Sequence, residues 1–126
     1  MTLTGQLGNV MKESIGTGLS WIKSNSVKLG LASEPTIKII KPVSANREIE
    51  LPMKQFDLHV HFPAAAIPKD GPSAGVTIAV ALVSLLSGRR VKSEFAMTGE
   101  LSLQGLVMPV GGIKEKCIAA HRNKIA

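Results

Sequence analysis

Apolar positions along this chain follow three different rhythms. From residue 4 to about 28, Leu7, Val10, Met11, Ile15, Leu19 and Ile22 recur at three- and four-residue spacing. That is the period that lines one face of a helix, so a helix is predicted there with its stripe packed on a sheet. Gly16 and Gly18 flank Thr17 near its centre, and each glycine weakens a helix by about 1 kcal/mol relative to alanine, which predicts a close contact or a bend. Residues 56–62 alternate instead: Phe56, Leu58, Val60 and Phe62 share one face and Asp57, His59 and His61 the other. This is the pattern of a strand with one apolar side. Residues 76–86 are apolar nearly all round, as a central buried helix should be, and Gly88 is placed to end it.

Beyond that helix, residues 94–98 and 101–110 read as two strands around Gly99 and Glu100, followed by a terminal helix from Ile113 that carries Lys116 and stops before Asn123. Residues 30–54 are punctuated by Pro35, Pro42 and Pro52. Although Thr36-Ile37-Lys38-Ile39-Ile40 is rich in β-branched residues, the flanking prolines favour an edge or a surface connection. The order helix, strand, helix, two strands, helix predicts an α/β fold, a two-layer mixed sheet with packed helices. All 126 residues fit one domain.

Charge and composition narrow the function classes. The net charge is +6, but the basic residues are scattered, with only Arg89, Arg90 and Lys92 grouped. The aromatics are Trp21, Phe56, Phe62 and Phe95, too few to interleave stacking platforms with the charges, so nucleic acid is not an expected partner. Cys117 is the one cysteine. It permits no intrachain disulfide, fits a reducing compartment, and at an apolar helix position reads as a small hydrophobe. Neither a membrane span nor a secretory leader is read. His59 and His61 lack a third ligand at a telling spacing, so no metal site is expected.

Candidate chemistry starts in Pro68-Lys69-Asp70-Gly71-Pro72-Ser73-Ala74-Gly75. Gly71 permits a sharp turn, Pro72 suits the first turn of a helix, and Ser73 then lies beside backbone N–H groups that a helix leaves unpaired. A serine there is ordinarily a cap. It can also attack a carbonyl whose developing oxyanion those N–H groups hold. A second helix opens at Gly111-Gly112-Ile113-Lys114-Glu115-Lys116-Cys117. At about 100° per residue, Ile113, Cys117 and Ala120 share a face and Lys116 lies about 60° from its centre, nearer than Lys114. Lysine surface pairs are ordinarily solvated. A lysine serving as base must instead lose its proton, which requires its pKa to fall from about 10.4 toward neutrality, and partial burial is the available cause.

Together with Ala96-Met97-Thr98-Gly99-Glu100 and Leu3-Thr4-Gly5-Gln6-Leu7-Gly8 followed by Val10-Met11-Lys12-Glu13-Ser14, these two segments resemble the proteolytic domain of the Lon family of ATP-dependent proteases. Four blocks in order carry the resemblance, over about residues 3–29 and 56–126. It implies a serine endopeptidase with a Ser-Lys dyad: Ser73 as nucleophile, Lys116 as base, Thr98 steadying the lysine by a hydrogen bond, and Asp70 supporting from the same loop. The histidines of residues 56–62 are implied to be supportive, and Ala65 stands where relatives often carry glycine.

The resemblance further implies a Lon-type domain over residues 1–126, truncated at both ends relative to the full-length enzyme. No cofactor is expected in this chain. It contains no glycine-rich loop ending in Gly-Lys-Ser or Gly-Lys-Thr, so ATP and Mg are expected on a separate ATPase domain, in cis or trans. Unfolded or damaged proteins are the implied substrates and a homo-oligomer, a hexamer, the implied assembly. An intracellular setting is expected. Ser20-Trp21 and His61-Phe62-Pro63 lean toward the peroxisomal branch, with cytoplasm and mitochondrial matrix open. Two other readings stand beside this one: a phosphate- or nucleotide-binding enzyme using the helix start at residues 71–75, and a non-catalytic assembly module.

Overall fold

The computed structural model describes residues 1–31, 57–63 and 70–125. The connection beyond Leu31, Phe56 and Ala65 lie outside the described residues. In order, the elements are β1 (Thr2–Gly5), α1 (Asn9–Ser24), β2 (His59–Phe62), α2 (Gly75–Ser87), β3 (Glu100–Leu101), β4 (Val107–Met108) and α3 (Ile113–Arg122). The mixture of helices and small sheets is of the expected α/β class.

The chain begins as a strand, not as the start of the first helix. Thr2 to Gly5 pair in parallel with His59 to Phe62, Thr2 opposite His59 and Gly5 opposite Phe62. Gly5 makes the change of direction possible. Its φ is +102°, and a side chain there would collide with the Phe62 carbonyl. The alternation in β2 holds: Leu58, Val60 and Phe62 are half-buried while Asp57, His59 and His61 are exposed.

Among the described residues, helix α1 packs mainly on α2 and more lightly on β3, and Leu3, Val60 and Phe62 of the β1–β2 pair pack against the same core. The core is Met11, Ile15, Leu19 and Ile22 of α1 against Ile78, Ala79 and Leu82 of α2, closed by Leu101 of β3. The predicted stripe is therefore present, and it meets α2 as well as strand residues. Among the described residues the two sheets have two strands each, so α2 supplies most of the surface that covers this sixteen-residue helix. Gly18 supplies the close approach, with the Ala79 Cβ 3.7 Å from where its own would stand, whereas among the described residues nothing lies within 4 Å of a Cβ on Gly16.

Helix α2 is buried on one side only. Gly75, Ile78, Ala79 and Leu82 are covered, but Leu85 is 69% exposed. Gly88 ends the helix as predicted, with φ 70°. Residues 94–98 are not a strand. Gly99, which follows them, bonds to the start of α2, donating to Ser73 O and accepting from the Val76 N–H. What remains of the expected strand pair is two residues on each side, Glu100 opposite Met108 and Leu101 opposite Val107.

Candidate active site

The loop before α2 is held from two directions. The Asp70 carboxylate accepts the Met11 N–H at 3.0 Å, capping α1 from another part of the chain. Gly8 leaves the room: a Cβ there would sit on that carboxylate. The N–H groups of Met11, then of Gly71, hold the Asp70 carboxyl below the ordinary aspartate value of 3.8. Gly71 takes the predicted turn with φ +112°. Helix α2 starts at Gly75 with Ala74 as its N-cap and no side-chain capping bond, so Ser73 stands just ahead of the helix. Its hydroxyl is not spent as a cap.

Residues 97–99 run beside this helix start. Thr77 Oγ1 donates to the Met97 carbonyl at 3.0 Å, and the Val76 and Gly99 N–H groups donate to Gly99 O and Ser73 O at 3.2 and 3.0 Å. Thr98 Oγ1 donates to the Ser73 carbonyl as well, at 3.1 Å. Having only one proton to give, that hydroxyl faces Lys116 as an acceptor, and the Lys116 amine donates to it at 2.9 Å. The order Lys116, Thr98, Ser73 is thus a directional chain that ends on the serine backbone. A neutral amine tethered through one N–H keeps its lone pair for another proton.

Ser73, Thr98 and Lys116 line one cavity of about 710 Å³, with Ile113, Cys117 and Ala120 from the predicted face of α3. The sequence separates these groups widely, yet the fold brings them together. Two expectations about their surroundings need correction. Lys116 is exposed rather than partly buried, and Cys117 is exposed too. The cause is the position of α3, which has no buried residue. Its apolar face borders the open cavity instead of the core. Among the described residues no hydrogen bond joins the Ser73 hydroxyl to the Lys116 amine directly, and apo sites commonly tighten only when loaded.

Backbone donors narrow in the same way. The Gly75 N–H goes to the Pro72 carbonyl and the Val76 N–H to Gly99 O. The N–H groups of Ser73 and Ala74, both residues of the cavity wall, have no acceptor among the described residues. Sequence reasoning did not single out Thr77, and it gave no role of their own to Ala74 and Met97 within the quoted blocks. Asp70 belongs to the same loop, but its carboxylate is turned to α1. Between the first two strands, Thr4 Oγ1 lies 2.7 Å from His59 Nε2 and 2.8 Å from His61 Nδ1, tying β1 to β2 through side chains. Among the described residues no group of three or more His, Cys, Asp or Glu could hold a metal, and no helix is long and apolar enough to cross a membrane.

The whole chain, residues 1–126, matches the family described as the Lon protease (S16) C-terminal proteolytic domain. The chain belongs to that family. Lon protease of Anaeromyxobacter dehalogenans is 58% identical over 99% of this chain. Lon protease homolog 2, peroxisomal, of Bos taurus is 55% identical over 97%, and the Lon protease of Syntrophus aciditrophicus 57% over 99%. This chain spans 13% or 14% of the length of those relatives. It corresponds to the Lon proteolytic domain, and the Lon family is one of proteases.

Proposed function

We propose that this Lon-family chain is a serine endopeptidase domain in which Ser73 is the nucleophile and Lys116 its base, acting within an ATP-dependent protease. One observation carries the reading: Lys116 donates to Thr98, Thr98 donates to the Ser73 carbonyl, and all three border one cavity, while the serine hydroxyl is left uncapped. In the reaction the neutral Lys116 amine takes the Ser73 hydroxyl proton as Oγ bonds to the peptide carbonyl carbon. The N–H groups of Ser73 and Ala74 receive the oxyanion. The C–N bond then breaks, Lys116 returns the proton to the departing amine, and water activated by the same lysine hydrolyses the acyl ester. A peptide covering the cavity excludes water from the exposed Lys116, which strengthens the interactions within it.

Thr98 has a steadying role in this scheme and Asp70 holds the loop. This chain needs no cofactor of its own, and ATP and Mg belong to an ATPase domain acting in cis or trans. Unfolded or damaged proteins are the substrates, and copies of the chain assemble as a hexamer. The protein is intracellular. The printed names of the similar relatives include both bacterial and peroxisomal proteins, and the Ser20-Trp21 and His61-Phe62-Pro63 leaning is the basis for favouring the peroxisome. A phosphate site at residues 71–75 is a weaker reading, because the Gly75 and Val76 N–H groups are already bound to Pro72 and Gly99. The test is Ser73→Ala in the full-length protein: peptide cleavage disappears while folding is unchanged. Cleavage at the normal rate in that variant removes the proposal.

A further inference from the structure

Ser14 and Ser26 are the buried polar side chains of the described core, and Ser14 is 8% exposed. A serine inside a helix commonly returns its hydroxyl to the carbonyl one turn back. Ser14 instead donates out of α1 to the Pro72 carbonyl, at 3.3 Å. That carbonyl also accepts the Gly75 N–H at 3.0 Å, so two donors from two elements grip it. Gly75 preserves the arrangement, since a Cβ at that position would stand 2.6 Å from the Ser14 hydroxyl oxygen.

The gripped carbonyl belongs to the peptide unit whose other end is the Ser73 N–H. The Pro72–Ser73 bond is trans, and the unit is planar, so the C=O and N–H point in opposite directions. Fixing the Pro72 oxygen on the α1 side therefore fixes the Ser73 N–H on the other. A carbonyl that accepts hydrogen bonds also polarises its own amide, which makes that N–H a better donor. The Ser73 N–H has no acceptor among the described residues and belongs to a residue of the cavity wall.

We infer that Ser14 is a positioning residue that aims the Ser73 N–H at the oxyanion. The inference rests on the reading of Ser73 as nucleophile. It is tested in the full-length protein with Ser14→Ala and Ser14→Cys, the latter keeping a weak donor of similar size. Each is measured for kcat and KM on a short peptide, for affinity toward a tetrahedral peptide boronate, and for Tm. Removing a whole oxyanion donor costs about 10²- to 10³-fold in kcat, so misaiming one is expected to cost about ten- to a hundredfold. The expected result is that loss in kcat and in boronate affinity for Ser14→Ala, with KM within about twofold and partial recovery in Ser14→Cys.

Unchanged kcat in Ser14→Ala overturns the inference. So does a fall in kcat without loss of boronate affinity, which marks a structural role only. If Ser14→Ala does not fold, Ser14→Gly, which also removes the hydroxyl, takes its place: boronate affinity and kcat reduced together support the inference, and wild-type values for both overturn it. Ser73→Ala run in parallel separates the two questions, since cleavage surviving there refutes the nucleophile and not the aim of the amide.

Discussion

Thr98 and Asp70 do different work around Ser73, one on its carbonyl and one on helix α1. The Thr98 hydroxyl joins the amine to the serine backbone, so Thr98→Val is expected to lower kcat about ten- to a hundredfold, the loss of a hydrogen bond to a charged or reacting group being about 1.5–3 kcal/mol. Thr98→Ser should retain most activity, and steady-state kinetics on a peptide substrate checks both. Asp70 acts through α1. Its carboxyl is held below 3.8 by the Met11 and Gly71 amides, so the folded state favours the ionised form. The contribution is full above 3.8 and is lost as pH falls through the lower folded value. Thermal melts of the wild type and Asp70→Asn should therefore differ at neutral pH and converge in acid; a gap that widens in acid contradicts the cap.

The elements show how a site residue depends on packing far along the chain. Helix α1 carries the core stripe on one side of the Asp70 and Ser14 contacts, so its seat on α2 fixes the loop between them. Trp21 of the same helix packs against Gly105, whose φ is +83° and whose missing Cβ leaves room for the indole. Gly105→Ala combines a strained backbone with that collision. It is expected to destabilise by about 1–3 kcal/mol and to shift the emission of Trp21, the single tryptophan. Urea unfolding followed by fluorescence measures both, and an unchanged midpoint with unchanged emission refutes the contact.

Across the whole molecule, stability and chemistry are separated. The core lies between α1, α2 and β3, while α3 brings Lys116 to the cavity without burying a residue, and Ile113 and Ile118 are 47% and 44% exposed. Local opening requires least energy where few apolar contacts are lost. Amide hydrogen exchange should accordingly be fastest in α3 and slowest around Ile15 and Ile22, by about a hundredfold or more. Equal protection in α3 and α1 would show that the third helix is held by contacts this arrangement lacks.

Taken by itself, the sequence determined the helix-spaced stripe of α1, the alternation of β2, the turn at Gly71, the helix stop at Gly88, and the Ser73 and Lys116 segments with Thr98 between them. All but Thr98 follow from local spacing or from the backbone freedom of one residue type, and Thr98 is implied only by the resemblance to the Lon family. What covers a stripe is not local. Tertiary structure alone decided that α1 lies on α2, that residues 2–5 form a strand, and that residues 97–99 serve the first turn of α2 in place of a sheet. It also decided that α3 presents its apolar face to an open cavity, which leaves Lys116 in contact with water. Those outcomes depend on which surfaces meet across many intervening residues, a competition that no single segment's pattern contains.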